Sequence, residues 1–89
     1  MFYFYLKGII YGKSIANGGF LGKLSDGVSG FETFEDAQIF KRECLSRIVK
    51  KTPGVYDRSE QLSLLETSSI IEENDLRFIN AHNSDWSRN

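Results

Sequence analysis

Eighty-nine residues with eleven Lys and Arg, twelve Asp and Glu and a formal charge of −1 allow one domain with one core, and they remove the global charge argument for a nucleic-acid binder. At 40% hydrophobic and 13% aromatic the chain is too apolar to be a disordered segment. One cysteine, Cys44, excludes an internal disulfide framework, and together with the missing signal-peptide pattern it sets the expectation of a cytoplasmic protein.

In chain order, Phe2, Phe4 and Leu6 alternate with Tyr3, Tyr5 and Lys7, the period of a strand whose even face meets the core. The apolar run 2–11 is broken by Lys7 and Gly8 and falls short of the roughly 20 residues of a membrane helix. Gly8 marks either a bulge or the break between two short strands. Asn17-Gly18-Gly19 is a hairpin signal, expected to join Ile9–Ala16 to Gly19–Leu24 through a type I′ turn. Ser25 to Gly30 follows as a loop.

The next stretch carries the clearest element. Thr33 is an N-cap, with Asp36 at the capping-box position. Ala37, Phe40, Cys44 and Ile48 form one stripe, widened by Phe34, Leu45 and Val49. Glu32, Glu35 and Asp36 lie at the positive end of the helix dipole, and Arg47, Lys50 and Lys51 at the negative end. Thr52-Pro53-Gly54 stops the helix. Beyond it, Leu62, Leu64 and Leu65 with Ile70 and Ile71 favour a strand, although Asp57 and Glu60 have capping-box spacing for a helix. Residues 72–82 read as a helix with Leu76, Phe78 and Ile79 on one face, and 83–89 as a flexible tail. The fold class is α+β: a single ββαβα domain over residues 1–89, with an antiparallel sheet, one main helix on one face and the other face open to a partner.

Catalytic chemistry is hard to place. His82 stands alone, with no Ser-His-Asp or Cys-His spacing, and Cys44 falls on the apolar stripe, where a thiol packs as a small hydrophobe. Glu72, Glu73 and Asp75 lack the alternating ligands and central glycine of a calcium loop. Gly18 to Lys23 lacks the hydroxyl residue and following helix of a phosphate-binding loop, although strand glycines at 19 and 22 leave room for a ligand. No cofactor or metal site is assigned, and no enzymatic activity is expected.

Three surface groups remain as candidates. Tyr3, Tyr5, Lys7 and Tyr11 would form an aromatic row able to bind protein or stack bases, unless the tyrosines half-bury beneath the second helix. Lys41, Arg42, Arg47, Lys50 and Lys51 form a basic patch, and Glu66, Glu72, Glu73 and Asp75 an acidic one, so the molecule is polarised in charge. If the first strand is an uncovered edge, it would pair with a partner or with a copy of itself, so monomer and homodimer both remain open.

Gly30 to Phe40, GFETFEDAQIF, resembles the F-x-T-x-E-E-A-x-x-F segment of viroplasmin-like domains at the N-terminus of some ribonucleases H. That likeness covers eleven residues and implies duplex nucleic-acid binding. In size and composition the chain also resembles small phage and mobile-element accessory proteins, anti-CRISPR proteins among them, which implies an inhibitor acting in the host cytoplasm. The function expected is a non-enzymatic protein-binding inhibitor or regulator. The alternative is a nucleic-acid module using the basic helix patch and the strand tyrosines.

Overall fold

The alternation at the start of the chain needs two covered faces, because both of its side-chain sets are apolar or aromatic. The computed structural model, which describes residues 1–50 and 58–87, provides both. β1 (Phe2–Leu6), β2 (Ile9–Ser14) and β3 (Phe20–Lys23) come first, followed by a single 3-10 turn at Leu24–Asp26. α1 (Phe34–Val49), α2 (Arg58–Thr67), β4 (Ser69–Glu72) and α3 (Leu76–Ser87) complete the chain. The sheet order is β3-β2-β1-β4, antiparallel at every pairing.

The fold class is α+β with an antiparallel sheet, and the ββαβα order gains a strand and a helix. Lys7 and Gly8 adopt φ of 49° and 81°, the two positive angles that a two-residue I′ turn requires, so the first apolar run is a hairpin rather than one bulged strand. At the second hairpin the positive angles fall on Gly18 and Gly19, and the loop closes through Gly19 N–H donating to Ser14 C=O at 2.8 Å. The Asn-Gly signal therefore placed that turn correctly but not its type. Of the stretch from Leu62 to Ile71, favoured as a strand, Leu62, Leu64 and Leu65 lie in α2 and only Ile70 and Ile71 in a strand, β4. Gln61, Leu64 and Leu65 are buried while Leu62 is exposed, which is helical spacing rather than alternation.

One face of the sheet carries Phe4, Tyr11 and Leu21 against Phe31, Ala37, Phe40, Cys44 and Ile48 of the α1 segment and Leu64 and Leu65 of α2. The rings of Phe31 and Phe40 are 4.9 Å apart, and Phe4 meets Phe31 edge-on at 5.8 Å. Thr33 caps α1 as expected, its hydroxyl accepting from Asp36 N–H at 3.0 Å. The stripe Ala37, Phe40, Cys44 and Ile48 is buried. Phe34 and Val49, expected to widen it, are instead exposed. The second face, expected to be open, is covered by α3: Phe78 and Ala81 pack with Ile10, Ile71, Tyr3 and Tyr5. Leu76 and Ile79 point away, because the helix starts four residues later than expected and runs on through residues assigned to a tail.

β1 and β2 separate beyond the Phe4–Tyr11 pair, and the chain entering α1 fills the gap. Ser29 exchanges both backbone hydrogen bonds with Lys13, and Phe31 does so with Phe2. The expected loop is therefore stitched into the sheet. Gly12 permits this, since a Cβ there would lie 2.5 Å from the Ser29 carbonyl oxygen. Residues 51–57 lie outside the described residues, and with them the Thr52-Pro53-Gly54 stop, Lys51 and Asp57.

Phe40 is the ring through which α1 meets both Phe4 of β1 and Phe31 of the segment that fills the split. Truncating it (Phe40→Ala) should destabilise the domain by about 3–5 kcal/mol, the cost of emptying a buried aromatic site. Chemical denaturation measures this, and an unchanged midpoint would show the packing to be wrong.

Candidate protein-binding edge

A four-stranded sheet has two edges, each with backbone groups that its neighbours leave unpaired. At β3 the edge is closed at Leu21. Lys13 spends its N–H and C=O on Ser29, so Leu21, opposite Lys13, points its own pair outward. Gln61 of α2 meets that pair as a peptide group would: its Oε1 accepts from Leu21 N–H at 3.1 Å and its Nε2 donates to Leu21 C=O at 2.9 Å. Asn17 Nδ2 donates to the same carbonyl at 2.8 Å. The Gln61 side chain is buried, so these bonds are shielded from water. A cavity of about 170 Å³ beside them is lined by Tyr11, Lys23, Asp26 and Glu60 among others.

At β4 the edge is open. Phe2 bonds toward Phe31, so by the two-residue period Phe4 also faces β2, and Tyr3 and Tyr5 face β4. Ile71 and Ser69 answer those tyrosines, which turns the N–H and C=O of Ile70 and the N–H of Glu72 outward. The Glu72 carbonyl accepts from Asp75 N–H at 2.9 Å. No group among the described residues bonds the other three. Ile70 itself packs against the α1 cluster, and around it Gln38, Lys41 and Arg42 border a cavity of about 370 Å³. One row further along, Phe34 lies edge-on to Phe2 at 6.2 Å and is 46% exposed. The edge thus offers strand-pairing groups, an apolar floor and two cations that make no ion pair among the described residues.

The residues expected as sites are redistributed. Tyr3 lies against Phe78 with ring centres 5.0 Å apart, and the Arg77 guanidinium is 5.7 Å above Tyr5. Both are half-buried under α3, the alternative weighed for them. Burial first, and the charge of Glu73 second, push the Tyr3 hydroxyl up. Tyr11 is on the opposite face, buried in the α1–α2 core, where burial and then Glu60 raise its hydroxyl. Lys7 is exposed in the first turn. The aromatic row is therefore split across the sheet, and β1 is a central strand rather than an edge.

The basic patch divides as well. Lys41 and Arg42 face Ile70. Arg47 instead reaches the second hairpin, donating to Gly18 C=O at 2.9 Å and stacking 4.0 Å above Phe20. Lys50 is the exposed C-cap of α1. In the acidic patch Glu73 pairs with the Met1 amino group at 2.9 Å, and Asp75 pairs with Arg77 at 3.0 Å. Glu66 and Glu72 are exposed. Cys44 is buried, and burial pushes its thiol up to about 11, so it is a poor nucleophile. His82 stacks on Phe78, ring centres 5.9 Å apart. Sequence reasoning missed Gln38, Gln61, Phe34 and Ile70. The β-branched pair at 70–71 signalled a strand, but no local signal says that its outer edge is bare.

Asp75 caps α3, its Oδ1 accepting from Arg77 N–H at 2.8 Å. The side-chain hydrogen bond from Arg77 comes first and its N–H second in holding the carboxyl below the usual carboxylate range. A depressed carboxylate contributes stability above its unfolded pKa and loses it as pH falls through the folded value. Acidification below about pH 4 should therefore loosen α3, seen as movement of the Arg77 and Phe78 amide signals. In Asp75→Asn that acid step should shrink, and acid profiles identical to those of the parent chain would contradict the assignment.

No protein-family model, no curated protein and no solved structure matches the chain.

Proposed function

We propose that this chain is a non-enzymatic protein-binding regulator that takes an extended segment of a partner protein as a fifth strand beside β4. The observation that carries the proposal is the contrast between the edges: at β3 the outward Leu21 pair is met by a buried glutamine, while β4 presents two donors and an acceptor over an apolar floor. Strand addition draws affinity from backbone hydrogen bonds and specificity from pockets for alternate side chains. Lys41 and Arg42 favour an acidic side chain on the α1 side of that segment, and Phe34 with Phe2 favours an apolar one two residues away. Such a module suits an inhibitor of the small phage accessory type, acting on a protein of the host cytoplasm.

The nucleic-acid alternative has less support. Tyr3 and Tyr5 lie under α3 on one face of the sheet while Lys41 and Arg42 border Ile70 on the other, so they do not form one stacking surface of the kind single-strand binders use.

Glu72→Pro tests the proposal. The Glu72 N–H points away from β1, and Pro is accommodated on an edge strand whose N–H side is free, so the fold should survive with its melting temperature nearly unchanged. A protein captured by the parent chain should bind Glu72→Pro at least about tenfold more weakly, as expected when strand pairing supplies the affinity. Equal capture by both chains would overturn strand addition, and salt-sensitive retention of nucleic acid would favour the alternative.

A further inference from the structure

The bare edge of β4 is complementary to itself. It is four residues long, Ser69–Glu72, and carries neither lysine nor proline; its one charged side chain, Glu72, is the group that a pairing strand must match. The N–H and C=O of Ile70 both point outward, so an antiparallel copy with its own Ile70 directly opposite exchanges two hydrogen bonds at that residue. The same register sets the Glu72 N–H against the carbonyl of Ser68 in the other copy, twice by symmetry. We propose that a second copy of this chain pairs with β4 about a two-fold axis at Ile70, joining two four-stranded sheets into one.

Charge complementarity supports this occupant. Ile70 and Glu72 share the α1 face of β4 by the strand period, and Lys41 and Arg42 surround Ile70 on that face. The two-fold carries the Glu72 carboxylate of one copy across to the Ser68 position of the other. There it is a diagonal neighbour of Ile70, about 7–8 Å away, a span that long cationic side chains cover. Both acid–base contacts then form at once, one on each side of the axis, as an isologous interface demands. Glu72, Lys41 and Arg42 have no competing ion pair among the described residues, unlike Glu73 and Asp75. The shared surface is small, so the pair is weak and concentration-dependent. This pairing occupies the edge assigned above to a foreign segment, but it does not depend on such a partner existing.

Sedimentation equilibrium of the full chain from about 10 µM to about 1 mM, the range suited to a small interface, should show monomer passing to dimer. Glu72→Lys should abolish the dimer by setting like charges together, as should the double variant Lys41→Glu/Arg42→Glu. An equimolar mixture of the two variants should recover it, because each then meets the opposite sign across the axis. A monomer at every concentration, a dimer indifferent to these charges, or a mixture no more associated than its components would each overturn the pairing. A chain that stays monomeric yet loses a foreign partner on Glu72→Pro would overturn self-pairing and leave strand addition standing.

Discussion

Leu21 organises this fold through two polar atoms rather than through its side chain. Its N–H and C=O point off the edge of the sheet into a region that α2 buries, and an unpaired buried peptide group costs about 1–3 kcal/mol. The Gln61 amide satisfies both. That pairing fixes α2 on the β3 side and so sets where the chain must return. From the end of α2, β4 joins the sheet on the far side of β1, and its outer edge is left without a cover among the described residues.

The central position of β1 follows from the same route. β2 and β4 pair both of its edges, and its two faces are covered by helices, Phe2, Phe4 and Leu6 by the α1–α2 layer and Tyr3 and Tyr5 by α3. Tyr3 and Tyr5 are thereby committed to packing, and the open edge of β4 is bordered by backbone groups, Ile70 and the α1 cations Lys41 and Arg42. The proposed strand addition needs no catalytic group. Cys44 lies in the core, His82 stacks on Phe78, and Asp75 caps the start of α3.

The parts of the fold that local physics decides were legible in the sequence. Thr33, the stripe from Ala37 to Ile48 and the charges at both ends specify α1 redundantly, and the alternation from Phe2 to Leu6 specifies β1 with its correct core face. Gly8 offered two readings, and only the left-handed angles at Lys7 and Gly8 decide for a turn. The helix over 58–67 was not legible, because Leu62, Leu64 and Leu65 fit either period until Gln61 meets Leu21, a contact spanning forty residues. The candidate site was hidden for the same reason. Lys41, Arg42 and Glu72 were visible as charges, but which strand ends the sheet is a property of topology, and topology also placed Tyr11 on the other face from Tyr3.

The asymmetry of the two edges is the central claim, and amide hydrogen exchange of the dilute chain tests it most directly. The Leu21 amide should be protected about as strongly as the core, while the amides of Ile70 and Glu72 should exchange within about tenfold of an unfolded chain, beside a protected Ile71. Strong protection at Ile70 and Glu72, or rapid exchange at Leu21, would contradict it.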